Sequence, residues 1–414
     1  MATETTLLAR QPIFDTKLDI VGYELLYRPE SELDRSDLDR DGDRATSQVM
    51  LNAFTEIGMQ NLIGDKMGFI NYTRNHILSP PPFQDCQLVV EVLEDITAEP
   101  EIVESLKMLK AEGYIIALDD FVYHDSLTPL IEVADIVKVD VLELGRESIS
   151  EHVKILSQYP LQLLAEKIED QDMFQYCKEL GFDYFQGYFL SKPKVIKGRK
   201  IAANKMLVMQ LIVKLQSPDL APKDIHDTIS KDPALSYKVL RMINSAAMRR
   251  PDKIESLMRA ILLVGINQIR RWASFLALSS FDDKPSALHE QTVIRSKMCE
   301  YFGAKIDAKR ADEYFTVGML SMLDAFFDLP LEELLGNIPL SEEMNAALLQ
   351  RDGSLGFILK TCIAYEKGDW GGIDWRQLAQ HNLSIKDVKE AYLEALGWAS
   401  ETGAGLIDTI YGSE

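Results

Sequence analysis

The sequence predicts two folds in tandem, an α/β barrel followed by an all-α domain, so the fold class is α/β plus all-α. Three observations predict it. Short β-branched or aromatic runs alternate with amphipathic helical stretches over the first half. Eight such runs occur, the number that closes a β/α barrel. After a basic stretch at 191–202 that carries Pro193 and Gly198, the alternation stops and helical periodicity takes over. A doubly wound open sheet is the alternative for the first half.

The strand candidates are 7–14, 22–28, 67–72, 88–94, 114–120, 136–141, 163–168 and 185–190. Between most of them lie helical stretches, ATSQVMLNAFTEIG, EIVESLKMLKAEG, SEHVKILSQY and DQDMFQYCKELG, several ending in the glycine that suits a helix stop. In the second half KMLVMQLIVKLQ, PKDIHDTISKD, ALSYKVLRMINSAAM, IESLMRAILLVG and INQIRRWASFLALSS fit successive helices. Asp232-Pro233 starts one of them, with Asp as cap and Pro at the first position. The expected domains are 1–197 and 198–414.

The 414 residues carry 44 Lys and Arg against 65 Asp and Glu, a net charge of −21. Up to residue 200 there are 36 acids and 20 bases, net −16, and beyond it 29 and 24, net −5. Such a surface argues against a polymeric nucleic acid as partner, because phosphate contacts need bases. It suits divalent cations. Cys86, Cys177, Cys299 and Cys362 form no CxxC pair, so neither a disulfide framework nor a zinc ribbon is expected. The segment MATETTLLARQPIF has no signal-peptide pattern and no apolar run reaches membrane-spanning length, so the expectation is a cytoplasmic protein with no membrane partner.

Polar residues gather toward the C-terminal ends of the strand candidates: Glu24, Asn71, Glu91, Asp119 with Asp120, Lys138 with Asp140, Glu166 and Gln186. In a barrel these ends converge on one mouth, where active sites sit. Any single acid could be a helix cap. Together they read as a two-cation site for a phosphorylated ligand.

These residues carry a resemblance to the EAL domain of cyclic-di-GMP phosphodiesterases, over about residues 1–197. The signature appears as Glu24-Leu25-Leu26 followed by Arg28, the third-strand Asn as Asn71, and the Glu-x-x-Glu strand as Glu91 and Glu94. Asp119-Asp120-Phe121, Lys138-Val139-Asp140, Ala165-Glu166-Lys167-Ile168-Glu169 and Gln186-Gly187-Tyr188 follow in order. The resemblance implies a modified TIM barrel. It implies Glu24, Asn71, Glu91, Asp119 and Asp120 as ligands of Mg²⁺ or Mn²⁺, and Lys138, Glu24 and Glu166 as the catalytic group. It places Arg28, Asp140, Glu169 and Gln186 in ligand binding or around the metal shell.

The sequence also departs from the family. A Gly-Thr-Gly loop after Asp-Asp-Phe, which supports dimerisation, is replaced by Val122-Tyr123-His124-Asp125-Ser126, and the family's Gly after Glu166 is Lys167. Lys167 either places a cation near the site or points away. The domain therefore reads as a degenerate EAL domain, with a homodimer as a candidate state. Asp37, Asp39, Asp41 and Gly42 fit the start of an EF-hand, but its twelfth position is Gln48, and a solvated acidic loop is the better reading.

Residues from about 200 to 400 resemble the HDOD domain, a relative of the HD phosphohydrolases, on DPALSYKVLRMINSA, AILLVG and IRRWASFLAL. The expected His-Asp position appears as Gly318-Met319-Leu320-Ser321-Met322, and His226-Asp227 sits elsewhere, as a surface histidine. This half reads as an interaction module with an unidentified protein partner. Arg249, Arg250, Arg270 and Arg271 form two basic pairs, better read as a solvated face than an anion site. The resulting expectation is a signalling protein able to bind metal or cyclic-di-GMP. An active phosphodiesterase regulated by the HDOD half and a pure scaffold stay open beside it.

Overall fold

The computed structural model describes residues 6–29, 58–80, 88–191, 203–217, 219–244, 254, 256–281 and 284–410. The expected helix at 45–58 (apart from Gly58), the acidic loop at 37–42, most of the basic stretch at 191–202, Cys86, Arg249 and Arg250 lie outside them.

Eight strands close into a barrel in sequence order: β1 (Thr6–Asp15), β2 (Ile20–Pro29), β3 (Met67–Tyr72), β4 (Leu88–Val92), β5 (Ile115–Leu118), β6 (Ile136–Asp140), β7 (Gln162–Glu166) and β8 (Tyr184–Gln186). Each falls on a run expected from the sequence. The described helices between them are α1 (Met59–Ile63), α2 (Arg74–Leu78), α3 (Pro100–Ala111), α4 (Thr128–Ile131), α5 (Val141–Leu156) and α6 (Gln171–Leu180). Two features depart from a uniform β/α repeat. β1 runs antiparallel to both β2 and β8, while the remaining pairs are parallel. The reversal is a tight turn at 15–19, where Asp15 Oδ1 accepts from the amides of Lys17 and Asp19.

The second departure is at β8, which stops at Gln186 rather than running to 190, and Tyr188–Ser191 form a 3₁₀ turn. Gly187 causes the break. Its φ is 149, and a β-carbon there would lie 2.2 Å from the carbonyl oxygen of Ile168. The amide of Ile168 donates to Gln186 O at 3.0 Å, so the chain ends of β7 and β8 meet backbone to backbone. Gly187→Ala is expected to destabilise the barrel by about 3 kcal/mol or more, since the clash is with main chain that cannot rotate away. Chemical denaturation of the variant checks this; an unchanged midpoint contradicts the packing described.

The barrel floor is apolar. Ile13, Phe69, Val89, Ala117, Ile136 and Leu164 form one buried layer inside it, with Tyr184 packed against them. Alternate residues on a strand share a face. The next inward layer toward the strand C-termini is therefore Asn71, Glu91, Asp119, Lys138, Glu166 and Gln186, each two residues beyond a member of the floor. On the reversed β1 the same step leads from Ile13 back to Gln11.

The chain divides into two units, Met1–Lys192 with Tyr365–Gly371, and Pro193–Ala364 with Gly372–Glu414. The sequence gives no signal for grouping 365–371 with the first. The second unit is helical. Its core takes Leu215, Ile225 and Ile229, Leu235, Val239 and Ile243, Leu257 and Ile261, and Ile269, Trp272, Ala273 and Leu276, the i, i+3, i+4 stripe of amphipathic helices. Asp232 caps the helix Pro233–Ile243, accepting from the amide of Leu235 at 3.0 Å, as its sequence predicts. Cys177, Cys299 and Cys362 are buried, and the Sγ atoms of Cys299 and Cys362 lie 3.6 Å apart. Among the described residues no helix is long and apolar enough to cross a membrane.

Candidate functional site

The site is the polar layer above the barrel floor, and Lys138 is its centre. The Lys138 side chain is 1% exposed. Its Nζ lies 2.6 Å from Glu91 Oε1, 2.6 Å from Asp119 Oδ1, 2.9 Å from Glu166 Oε1 and 3.9 Å from Glu24 Oε2. Strand geometry accounts for the convergence: β4, β6 and β7 deliver Glu91, Lys138 and Glu166 at or near their C-terminal ends, Asp119 stands one residue past β5, and Glu24 comes from the middle of the longer β2. Four carboxylates about one ammonium leave a formal charge of −3 in a buried ring. Burial alone would depress the Lys138 ammonium, but Glu166, Glu24, Glu91 and Asp119 outweigh it and hold it well above its usual range.

The ring is under-neutralised in a low-dielectric place, and its acids respond. Burial raises the Glu91 carboxyl well above the ordinary range, although Lys138 opposes this. Burial likewise pushes Glu166 up to about 8. The folded chain thus keeps a proton on Glu166 that an unfolded glutamate releases near 4.5. Between those values the folded state binds more protons, so stability of the cation-free protein falls as pH rises through that window. Thermal unfolding in EDTA at stepped pH from about 5 to 8 is expected to show a declining Tm. The gain in Tm from Mn²⁺ should grow over the same range, because a cation displaces the proton. A Tm that holds flat or rises with pH in EDTA would contradict the buried ring.

Gln186 and Gln11 complete the wall. Gln186 Nε2 donates to Glu24 Oε2 at 2.5 Å and to Gln11 Oε1 at 3.0 Å. Gln11 has no counterpart among the expected site residues. It belongs to the one reversed strand, where a strand-end search looks at the wrong end; its alternation with Ile13 is the signal that finds it.

The expected metal set is divided by the structure. Glu24, Asn71, Glu91 and Asp119 stand in one layer. Asp120 leaves it: both of its carboxylate oxygens lie 3.2 Å from Lys167 Nζ. Asp140, expected to bind ligand, is otherwise engaged. Its Oδ1 caps α5 through the amides of Leu142 and Glu143, and its Oδ2 takes Lys167 Nζ at 2.6 Å. Burial works against the Asp140 charge, but Lys167 and the two amides hold its carboxyl below the usual range. Glu169 is exposed three residues past β7. Arg28 is buried on the same face of β2 as Glu24, about 13 Å farther toward the mouth at ~3.3 Å per residue.

The donor set fits a hard divalent cation. Glu91 Oε2, Glu166 Oε2 and Gln186 Oε1 are buried oxygens with no hydrogen-bond donor. Carboxylate and carboxamide oxygens are the ligands Mg²⁺ and Mn²⁺ take. Among the described residues no three His, Cys, Asp or Glu side chains already stand as a coordination sphere. The physical reason is Lys138, on which the carboxylates close. A cation entering the ring competes with that ammonium.

The altered loop after Phe121 has its own anchors. The Phe121 amide donates to Lys138 O, and the Tyr123 amide donates to His152 Nε2 at 2.9 Å. Burial lowers the His152 pKa, in keeping with a neutral ring that accepts a hydrogen bond.

In the helical unit, the place where a His-Asp pair is expected is filled differently. Arg295, 1% exposed, turns its guanidinium to Ser321 Oγ at 3.2 Å and to Met322 Sδ. Gly318 lets this contact form, since a β-carbon there would lie 2.8 Å from Ser296 Cα. His226 lies half-exposed, with Nδ1 3.1 Å from Asp227. The reading of Arg270 and Arg271 as a solvated face is corrected for Arg271. It is buried and pairs with Glu300 and with Asp312 at 3.0 Å, so two acids of neighbouring helices hold it.

Comparison with known proteins matches the EAL domain family model to residues 59–193 and the HDOD domain model to 202–328. The uncharacterized protein YuxH of Bacillus subtilis is 35% identical over 405 residues, covering 94% of this chain and 97% of that protein. The cyclic di-GMP phosphodiesterase CdgJ of Vibrio cholerae is 32% identical over 404 residues, covering 96% and 93%. Among solved structures, an EAL domain protein of Listeria monocytogenes aligns at 24% identity with a TM-score of 0.37, over 44% of this chain and 86% of that one.

Proposed function

Because the chain belongs to the family of two-domain EAL–HDOD signalling proteins, we propose that its barrel binds cyclic di-GMP at the acidic mouth through a divalent cation. Turnover on this reading is slow or absent, and the helical half carries the bound state to a protein partner in the cytoplasm. The observation that carries the proposal is the acidic layer of Glu24, Asn71, Glu91 and Asp119, beside which the buried oxygens Glu91 Oε2, Glu166 Oε2 and Gln186 Oε1 lack donors. Mg²⁺ or Mn²⁺ bound there supplies positive charge to the ligand phosphates and a means of activating water. Arg28, farther up the same face of β2, takes a second phosphate oxygen on this reading. Gln186 and Gln11 hold the Glu24 carboxylate by hydrogen bonds, and Lys138 keeps a permanent ammonium beside any phosphate that enters. The reading of low turnover is supported by Asp120, which Lys167 draws away from the ring, and by the loop from Val122 to Ser126.

A second reading is an active phosphodiesterase, giving a linear dinucleotide. Its support is the retention of Glu24, Lys138 and Glu166 in one cluster, together with the likeness to CdgJ over nearly the whole chain. One sample separates the two: purified protein with Mn²⁺ and cyclic di-GMP, with bound ligand and linear product both measured. Tight binding without product supports the receptor. Metal-dependent product that disappears in Glu24→Ala supports the enzyme, and neither binding nor product contradicts both.

A further inference from the structure

The residue after Glu166 is a lysine held in an unusual backbone. Lys167 has φ 55, in the left-handed region that glycine occupies freely and a side chain occupies at a cost. Backbone held this way persists where surrounding contacts over-determine it. Here the contacts are on the side chain. The ammonium bridges Asp140 at 2.6 Å and both oxygens of Asp120 at 3.2 Å. Asp120 is itself at φ 38, turned from Asp119, whose Oδ1 faces Lys138. Two adjacent acids are thus shared between two ammonium groups, one deep and one at the rim.

We propose that Lys167 is a tethered cation standing in place of one of the two divalent cations that the acidic mouth invites, so that the ring binds a single divalent ion. The inference rests on the reading that Glu24, Asn71, Glu91 and Asp119 take a cation at all. Both oxygens of Asp120 are engaged by the ammonium, and Asp140 is closed by the helix cap and the same lysine. A second divalent ion at Asp120 would face a fixed like charge at contact range. No other lysine or arginine among the described residues pairs with Asp120 or Asp140, so Lys167 alone sets this limit among them.

Equilibrium dialysis of the full chain against saturating Mn²⁺, followed by elemental analysis, counts bound ions. The parent is expected to hold one Mn²⁺ per chain, Lys167→Gly two, and Lys167→Arg one. Glycine suits the backbone and removes only a half-exposed side chain, so Lys167→Gly should keep the parent's far-ultraviolet circular dichroism; Lys167→Gln serves as a second neutral variant. Two ions on the parent, or one on both neutral variants, overturns the inference and leaves the cation-dependent reading standing. No bound Mn²⁺ on parent or variants overturns that reading and the inference with it.

Discussion

Glu24→Ala is expected to lower the affinity for Mn²⁺, and with it the cation-dependent affinity for cyclic di-GMP, by about 100-fold or more. Even residues that only orient a metal ligand are worth about 10–100-fold, and Glu24 is proposed as a ligand itself. Glu24 is 8% exposed; its carboxylate is fixed by Gln186 at 2.5 Å and sits in the ring without being consumed by Lys138, from which it stands 3.9 Å away. Among the four carboxylates it is the farthest from the ammonium and so the freest to take a cation. Glu24→Gln preserves the shape and removes the charge, so a similar loss in that variant assigns the effect to charge. Calorimetric titration measures both affinities. A variant that binds Mn²⁺ like the parent would remove Glu24 from the site.

The second large effect is Lys138→Met. Removing the ammonium leaves Glu24, Glu91, Asp119 and Glu166 facing one another in a buried ring. Breaking a buried ion pair from one side costs about 3–5 kcal/mol, which for a barrel of this size is a fall in Tm of roughly 10 °C. The loss should appear in EDTA near pH 8 and shrink toward pH 5, where the raised carboxyls of Glu91 and Glu166 carry protons. Mn²⁺ should restore much of it, since the variant offers the cation the carboxylates without a competitor. A variant equally stable in EDTA at both pH values would mean that the four acids do not share one buried ring.

Much of this site is legible in the sequence. The strand runs are rich in β-branched or aromatic residues, and polar positions recur toward the C-terminal ends of most of them, so one topological rule brings Asn71, Glu91, Asp119, Lys138, Glu166 and Gln186 together with Glu24. What stayed hidden was non-local or broke that rule. Gln11 lies on the strand that runs backward. The division of Asp119 and Asp120 between two lysines depends on a 47-residue separation from Lys167 and on two left-handed backbones, which no local pattern encodes. Asp140 could be a cap or a ligand on sequence grounds, and only the amides of Leu142 and Glu143 decide for the cap. Arg271 carries the same ambiguity, because its partners Glu300 and Asp312 come from other helices. Gly187 is legible as part of a motif, yet its requirement for no side chain arises from Ile168, two residues past the end of the neighbouring strand.

The most direct test of the account is a titration of the parent protein with cyclic di-GMP, once in Mn²⁺ and once in EDTA. Saturable binding of one ligand per chain is expected in Mn²⁺ and its loss in EDTA. Binding of equal strength in EDTA, or no binding with Mn²⁺ present, would contradict it.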